Sequence, residues 1–155
     1  MGKLNIYLDM DGTIADLYGV NDWLSLLHAE NVAPYEQAKP LINMDELIKI
    51  LADSRVESNI ISWTCKDGSA KYNRKIRYAK LRWLKKYHLT NHISKYYIID
   101  YGTPKSTVVH RPLSGSDILI DDEPNNQLEW LAAGGSVIGI KNLITELKKV
   151  LDFMG

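Results

Sequence analysis

The chain has 155 residues, of which 45% are hydrophobic and 25% are charged, and its formal net charge at pH 7 is zero. This size and composition are typical of one globular domain with its own core, and the balanced charge gives no overall case for binding nucleic acid or acidic membranes. The single cysteine, Cys65, excludes an intramolecular disulfide and a cysteine-cluster metal site, so oxygen or histidine must hold any metal. No apolar run approaches the ~18 residues of a membrane span, and we expect a cytoplasmic protein without a signal peptide or membrane partner.

Five short apolar runs alternate with amphipathic helical patterns along the chain. The runs are typical of buried strands: KLNIYLD, SNIISWT, YYIID, SDILIDD and GSVIGI. The helical patterns cover about residues 21–30, 45–53, 69–87, 125–133 and 143–153. Alternation of this kind requires crossover connections, which are right-handed, and it predicts an α/β three-layer sandwich with a mainly parallel five-stranded sheet.

Polar side chains stand at the carboxyl ends of three predicted strands. Asp9 ends the first, Thr64 the second, and Asp121 with Asp122 the fourth. Because ligands bind at the carboxyl ends of the strands in an open parallel sheet, we expect these residues to converge. Converging carboxylates repel one another unless a cation neutralises them. Mg²⁺ prefers oxygen ligands and commonly binds one or two carboxylates plus a substrate phosphate, so the sequence predicts a magnesium site there.

Four segments resemble the four motifs of the haloacid dehalogenase (HAD) superfamily of phosphotransferases. They are DMDGT at residues 9–13, IISWT at 60–64, TPKS at 103–106 and ILIDD at 118–122. The resemblance extends from Ile6 to about Gly139. It implies a Rossmann-like fold and a Mg²⁺-dependent phosphomonoester hydrolase that works through an aspartyl-phosphate.

The resemblance also implies a role for each matched residue. Asp9 is the expected nucleophile, and Asp11 is the expected general acid and then base. Thr64 is expected to hold the phosphoryl oxygens, while Lys105 neutralises them and fixes the nucleophile. The expected magnesium ligands are Asp9, Asp11 and Asp122.

The chemistry of the same residue types agrees with these roles. A carboxylate is a competent nucleophile toward phosphorus, and a neighbouring carboxyl with a raised pKa can carry the proton. Gly12 permits a tight turn that brings backbone N–H groups toward phosphate oxygens, and Thr13 offers a hydroxyl. Asp121 is then an auxiliary acidic residue beside the metal ligand.

Simpler interpretations compete with each assignment. Asp, Gly and Thr are common turn formers, so DMDGT alone could be a strand end followed by a turn. Thr64 has Ser62 as a nearby rival. Lys105 competes with three other basic residues for its role. A solvated surface position is the simpler interpretation of each, because most lysines and arginines lie on the surface. These rivals are Lys66, Lys95 and Arg111.

We expect a single HAD-like domain over residues 1–155, with a small helical cap at about 17–42. A cap of this size is comparable to that of 5'(3')-deoxyribonucleotidases, and KSTVV followed by SDILIDD is also similar to that family. The insertion HRPLSG departs from its pattern. The expected substrate is a (deoxy)nucleoside monophosphate, with Trp23 or Tyr35 facing the base and Trp63 either lining the pocket or lying in the core. Alternatives are a phosphatase acting on nucleic-acid or sugar phosphate ends and a non-catalytic phosphate-binding regulatory module.

The predicted helix after the second strand is strongly basic. Residues 66–86 contain one acidic residue, Asp67, and nine basic ones: Lys66, Lys71, Arg74, Lys75, Arg77, Lys80, Arg82, Lys85 and Lys86. A solvated helix face is the simpler interpretation, and attraction of a polyanionic substrate or partner is the alternative. A compact nucleotide is favoured over nucleic acid, since the net charge of the chain is zero.

Overall fold

The computed structural model describes residues 2–155. Its strands are β1 (Leu4–Leu8), β2 (Ala15–Asp16), β3 (Lys39–Pro40), β4 (Val56–Trp63), β5 (Ile93–Ile99), β6 (Asp117–Ile120) and β7 (Ser136–Ile138). Its α-helices are α1 (Trp23–His28), α2 (Ala33–Gln37), α3 (Met44–Leu51), α4 (Ala70–Lys86), α5 (Pro124–Ala132) and α6 (Leu143–Met154). Among these elements, no helix is both long enough and apolar enough to cross a membrane.

The main sheet has five strands in the order β5-β4-β1-β6-β7. Each neighbouring pair is parallel. The predicted α/β fold with a mainly parallel five-stranded sheet is therefore confirmed. Strand β1 lies at the centre because both of its faces are apolar: Ile6 and Leu8 pack on one side and Tyr7 on the other.

The register of the sheet brings the strand ends together. Leu8 is level with Ile60 on β4 and with Ile120 on β6. Asp9 and Asp121 each follow one of these paired residues, while β4 continues to Trp63 before Thr64. The polar residues of three distant segments therefore meet at one edge of the sheet.

Helices cover both faces of this sheet. One core cluster joins the sheet to α3, α4 and α6 through residues such as Leu47, Trp83 and Leu147. The opposite face packs on α5 through Trp130. Each large apolar side chain buried in this way contributes ~1.5–3 kcal/mol relative to its exposed state.

The segment 17–42, the expected cap, contains α1 and α2 and ends beyond the short strand β3. Helix α1 is shorter than the pattern over 21–30 predicts, because Asp22 and Glu30 adopt positive φ angles of 58° and 54° at its ends. Pairing of β3 with β2 forms an antiparallel ribbon that the sequence did not indicate. This ribbon ties the segment to the turn that follows Asp9.

Helix α4 holds the same segment from the other side. Glu30 accepts hydrogen bonds from the Ser69 backbone N–H at 2.8 Å and from its hydroxyl at 2.7 Å. The Tyr72 hydroxyl donates to the Asn31 carbonyl at 2.8 Å. The Trp83 indole N–H donates to the Ala38 carbonyl, also at 2.8 Å. The segment therefore packs against the inner side of α4.

Candidate active site

A cavity of about 1030 Å³ lies between the carboxyl ends of β1, β4 and β6 and the segment 17–42. Seven of the residues predicted for the site line it: Asp9, Asp11, Gly12, Thr13, Thr64, Asp121 and Asp122. The eighth, Lys105, lies immediately behind Asp9. The structure thus brings together all the residues that the four sequence segments supplied.

Asp9 is held by both of its carboxylate oxygens. Oδ1 accepts a hydrogen bond from Lys105 Nζ at 2.9 Å, and Oδ2 accepts one from the Thr13 hydroxyl at 2.8 Å. Only 9% of the residue is exposed. The carboxylate therefore has a fixed orientation and a narrow opening to the cavity.

Lys105 bridges two carboxylates. Its ammonium also donates to Asp121 Oδ2 at 2.8 Å, and the side chain is almost fully buried. Burial lowers the pKa of Lys105, but the charges of Asp9 and Asp121 outweigh burial, and the net pKa is raised. The lysine therefore stays charged. Its rival Arg111 lies elsewhere, since its guanidinium pairs with Asp117.

Asp121 has hydrogen bonds on both oxygens. Its Oδ1 accepts the Glu123 backbone N–H at 2.9 Å, and its Oδ2 accepts the Asn126 amide at 3.0 Å in addition to Lys105. Burial, and next the charge of Asp9, raise the pKa of Asp121. These contacts make Asp121 a support for Lys105.

The turn that carries Lys105 is anchored by a residue that sequence reasoning missed. Lys105 begins a short 3-10 turn, and the next residue, Ser106, donates to the Glu129 carboxylate through its N–H at 2.8 Å and its hydroxyl at 2.5 Å. Glu129 projects from α5, which starts just after Asp122. Only the fold brings it to this turn, so no local pattern identifies it.

Gly12 makes the turn after Asp11 with a φ of 76°. A Cβ atom at this position would lie 2.9 Å from Tyr18 Cε2, so the close approach of Tyr18 also requires glycine. The turn directs Asp11 toward α4, where its Oδ2 accepts a hydrogen bond from Lys80 Nζ at 2.8 Å. Burial raises the pKa of Asp11 and Lys80 lowers it, and the net pKa is raised.

Lys80 is an exception to the interpretation of the basic residues of α4 as a solvated helix face. It lies on the inner side of the helix and is 1% exposed, so it is no part of a solvated surface. The signal was present in the sequence, because Lys80 follows the core residue Ile76 by four positions and therefore shares its face. Arg77 and Arg82 are also engaged. They pair with Asp100 at 3.0 Å and with Glu36 at 3.8 Å, respectively.

Thr64 presents a buried hydroxyl to the cavity without a hydrogen-bond partner among residues 2–155. The residue is 4% exposed. Ser62 was the alternative to Thr64 for binding phosphoryl oxygens, but its hydroxyl already accepts a hydrogen bond from Lys80 at 2.7 Å. A buried hydroxyl without a partner is costly, and an acceptor that enters the cavity would remove this cost.

The oxygen donors near Asp9 have the chemistry that Mg²⁺ requires. Residues 2–155 contain no group of three or more His, Cys, Asp or Glu side chains that could hold a metal. Asp122 is exposed, and its Oδ1 accepts the Ile140 backbone N–H at 2.7 Å. Mg²⁺ needs only one or two carboxylates when waters and a phosphate complete its shell, so Asp9 and Asp11 fit this ion.

Two aromatic pairs line the mouth of the cavity. Tyr18 and Trp23 of the segment 17–42 meet edge to face, with their ring centroids 4.8 Å apart. Across the cavity, Trp63 and Tyr101 lie 4.9 Å apart, which places Trp63 in the wall. Tyr35 is a poor platform for a base, because it is buried and its ring centroid lies 5.4 Å from Lys80 Nζ.

Comparisons with known proteins give a structural match only. No protein-family model matches the sequence, and no curated protein matches it significantly. A hydrolase from Streptococcus pneumoniae TIGR4 is similar in structure, with a TM-score of 0.62 and 14% identity over 98% of this chain and 100% of the other. A HAD-superfamily hydrolase from Ehrlichia chaffeensis gives a TM-score of 0.61 and 14% identity over 100% of both chains. The chain has a HAD-type fold.

This HAD-type fold agrees with the sequence segments that suggested it. DMDGT follows the central strand β1, IISWT ends β4, TPKS enters the 3-10 turn, and ILIDD ends β6. All four border the cavity or contact Asp9 directly. At 14% identity the likeness extends to the fold, and the activity must be argued from the site itself.

Proposed function

We propose that the chain is a HAD-type phosphomonoester hydrolase whose nucleophile is Asp9. The observation that supports this function is the setting of Asp9, fixed between Lys105 and Thr13 at the edge of the cavity. Asp11 lies two residues away, and the unpartnered Thr64 hydroxyl borders the same cavity. A nucleophile, a proton carrier and a donor for phosphoryl oxygens are therefore present in one pocket.

In the first step, an Asp9 oxygen attacks phosphorus and the bond from phosphorus to the leaving oxygen breaks. Asp11 gives its proton to that leaving oxygen. Such a proton transfer contributes about 10²- to 10⁴-fold to the rate. Thr64 donates to a phosphoryl oxygen, and the charge of Lys105 stabilises the negative charge that the transferring group carries.

In the second step, water attacks the aspartyl-phosphate and Asp11 takes its proton. The bond between phosphorus and the Asp9 oxygen breaks, which restores the carboxylate and releases phosphate. The raised pKa of Asp11 suits both directions of transfer, because the group can be protonated before the first step and ionised before the second. Dividing one displacement into two makes each easier.

We further propose that Mg²⁺ is bound by the carboxylate of Asp9 and the backbone carbonyl oxygen of Asp11, with Asp122 as the third protein ligand. The ion would supply positive charge that stabilises the phosphoryl group as its negative charge is redistributed. Asp122 lines the cavity, and it would bind the ion either through its second oxygen or through Oδ1 after release of the Ile140 N–H. Lys105 and Lys80 meanwhile compensate the charges of Asp9 and Asp11.

The proposed substrate is a (deoxy)nucleoside monophosphate. Both aromatic pairs at the mouth of the cavity can face a planar base, and stacking of a base on an aromatic ring contributes about 1–3 kcal/mol. Tyr18 and Tyr101 are the exposed members of the two pairs, and Trp23 and Trp63 are half-buried but also line the cavity. The cavity volume of about 1030 Å³ is sufficient for a nucleotide.

Nucleic-acid ends are the less favoured substrate because much of the basic helix is engaged. Lys80 is buried, and Arg77 and Arg82 have acidic partners. The inner side of α4 is also covered by the segment 17–42. The remaining exposed lysines are those of an ordinary solvated helix face.

The test is release of inorganic phosphate by the purified chain with Mg²⁺. The panel contains nucleoside 5'- and 3'-monophosphates, sugar phosphates, and oligonucleotides phosphorylated at either end, with Asp9→Asn as the inactive control. We expect the largest kcat/KM for a nucleoside monophosphate. Binding of phosphate without any turnover would support the non-catalytic alternative and overturn the proposed function.

A further inference from the structure

Lys80 contacts three different parts of the molecule through one buried ammonium. Its Nζ donates to Asp11 Oδ2 at 2.8 Å, to the Ser62 hydroxyl at 2.7 Å and to the Trp63 carbonyl at 2.6 Å. The ring of Tyr35, from the segment 17–42, lies beside the same nitrogen. The three donors of the ammonium are thus all used.

These partners belong to the site. Ser62 and Trp63 are the last residues of β4, directly before Thr64. Asp11 is the proton carrier of the proposed reaction. One lysine therefore links the proton carrier to the strand that presents the phosphate-binding hydroxyl.

Stability alone is a weak explanation for this lysine. A buried ion pair is often no more stabilising than well-packed apolar residues of similar volume, and the neighbours of Lys80 on the inner side of α4, Ile76, Ala79 and Leu84, are apolar. An apolar residue at position 80 could fill the same space. It could not bind Asp11, whose Oδ1 has no hydrogen-bond partner within residues 2–155. Without Lys80, the Asp11 side chain would have no hydrogen bond to keep its orientation.

We propose that Lys80 is a positioning residue for Asp11: its ammonium fixes Oδ2 against the end of β4 and leaves Oδ1 for the two proton transfers. This inference rests on the proposed function. It assigns Lys80 no contact with the substrate. A displacement of about 1 Å in a reacting group can lower the rate by up to about 10²-fold, so the loss of this hydrogen bond would lower the catalytic rate.

A substrate with a good leaving group distinguishes a role of Lys80 in positioning Asp11 from a role in folding. With 4-nitrophenyl phosphate, the leaving oxygen needs no proton, so the Asp9 oxygen bonds to phosphorus and nitrophenolate departs even when Asp11 is misplaced. In the second step, the water oxygen must bond to phosphorus while its proton passes to Asp11 and the bond from phosphorus to Asp9 breaks. A misplaced Asp11 therefore slows only the second step, and the phosphoenzyme accumulates.

The decisive variant is Lys80→Met, which keeps an unbranched side chain and removes the ammonium. Acid quenching during turnover of 4-nitrophenyl phosphate measures the fraction of protein that carries phosphate. We expect this fraction to rise several-fold, kcat for a nucleoside monophosphate to fall about 10- to 100-fold, and KM to change little. Lys75→Met, an exposed lysine of the same helix, is the matched control and should resemble the wild type.

The possible results are distinct. If Lys80→Met is slower in proportion to a loss of folded protein, and its phosphoenzyme fraction is unchanged, then Lys80 is structural and the inference is wrong. If Lys80→Met does not fold, Lys80→Gln, whose side chain stays polar but is uncharged and one bond too short to reach Asp11 in the same way, takes its place in the same measurement and is judged by the same two results. A wild-type protein that hydrolyses no phosphomonoester would overturn the proposed function, and this inference with it. An active wild type with an unchanged variant would overturn the inference alone.

Discussion

The Thr13 hydroxyl donates a 2.8 Å hydrogen bond to Asp9 Oδ2, four residues before it in the chain. Lys105 binds the other oxygen of the same carboxylate, so Asp9 is held on both sides. A fixed carboxylate loses little freedom when it reacts, which favours its use as a nucleophile. The turn through Gly12 makes this contact possible, because it returns the chain toward Asp9 within four residues.

The first prediction concerns the nucleophile. We expect Asp9→Asn to abolish phosphate release, because an amide is not a nucleophile toward phosphorus, while the side-chain shape is kept. Lys105 retains Asp121 as a partner, so the protein should remain folded. Phosphate release and a thermal unfolding curve measure the two effects.

Asp152→Asn is the control for this change, because Asp152 is exposed on α6 and distant in sequence from every site segment. It should leave turnover unchanged. Near-normal turnover in Asp9→Asn would contradict a covalent aspartyl-phosphate mechanism.

The second prediction uses the unpartnered hydroxyl of Thr64. Thr64→Val keeps the shape and removes a buried group that has no hydrogen bond in the described residues, so the free energy of unfolding should change by less than about 1 kcal/mol. If the hydroxyl binds a phosphoryl oxygen, kcat/KM should fall about 10²-fold. Urea unfolding and steady-state kinetics measure the two quantities on the same preparation.

Ser58 offers a matched control on the same strand. Its buried hydroxyl is also unpartnered among residues 2–155, but it lies at the opposite end of β4 from the cavity. Ser58→Ala should be as stable as the wild type and fully active. A Thr64→Val protein with unchanged kcat/KM would remove Thr64 from the phosphate site.

Much of the fold could be predicted from the sequence because its strands are buried on both faces. Such strands read as short apolar runs, and their polar ends mark the crevice, as Asp9 and Asp121 do. The start of strand β5 was harder to predict. It starts at Ile93, before the expected YYIID run, because its exposed residues Ser94 and Lys95 do not read as buried strand.

The parts of the site that were missed depend on contacts between distant segments. Lys80 is 69 residues from Asp11 in the sequence. It is also one of nine basic residues in the segment 66–86, so the composition of that segment does not distinguish it from the other eight. Its position four residues after Ile76 indicated the buried face of α4, whereas the high positive charge of the helix suggested that its lysines were exposed. Glu129 gave no such signal, because its contact with Ser106 arises only when α5 packs beside the 3-10 turn.

The third prediction concerns the metal. We expect EDTA to stop phosphate release and Mg²⁺ to restore it, since the proposed ligands are oxygen atoms. Asp122→Asn should raise the Mg²⁺ concentration needed for half-maximal activity. The asparagine can still accept the Ile140 N–H, so the local backbone contact is retained.

Asp122→Ala loses both the charge and this contact, and comparison of the two variants separates them. An equal Mg²⁺ requirement in Asp122→Asn and the wild type would exclude Asp122 as a ligand. Full activity in metal-free buffer would contradict the whole magnesium assignment.

The fourth prediction concerns the insertion HRPLSG, which supplies a partner for a buried carboxylate. Arg111 donates to both oxygens of Asp117, whose side chain is fully buried. Arg111→Met should lower the free energy of unfolding by about 1–3 kcal/mol, reduced from the cost of a fully buried pair because Arg111 is half-exposed. Urea unfolding at neutral pH measures the loss, with the exposed Arg74→Met as control.

This loss should depend on pH. Burial raises the pKa of Asp117, but hydrogen bonds from Arg111 and Ser114 outweigh burial and the net pKa is lowered. The contribution of the ionised pair is therefore present at neutral pH and is lost as pH falls below the ordinary range of an aspartate. The difference in stability between wild type and Arg111→Met should shrink in acid, and a constant difference would show that packing, not charge, is lost.

The last prediction distinguishes a compact nucleotide from a nucleic-acid end. If Trp23 stacks on a base, Trp23→Leu should lower kcat/KM for a deoxynucleoside monophosphate about tenfold, within the 1–3 kcal/mol range of such contacts. Ribose 5-phosphate has no base, and its kcat/KM should not change. Tyr78→Leu, an exposed aromatic on α4 outside the cavity, is the control.

The competing substrate, a phosphorylated oligonucleotide, should differ from a nucleotide in how its kcat/KM depends on salt concentration. A phosphorylated oligonucleotide that runs along the exposed lysines of α4 would release counterions, so its kcat/KM would fall steeply between low and moderate salt. A nucleoside monophosphate contacts few cationic groups and should show a weak salt dependence. We expect the monophosphate to be the better substrate at both salt concentrations, because Lys80, Arg77 and Arg82 are already engaged. A preference for the oligonucleotide that disappears with salt, together with an unchanged Trp23→Leu, would assign recognition to α4 and exclude the nucleotide-stacking proposal.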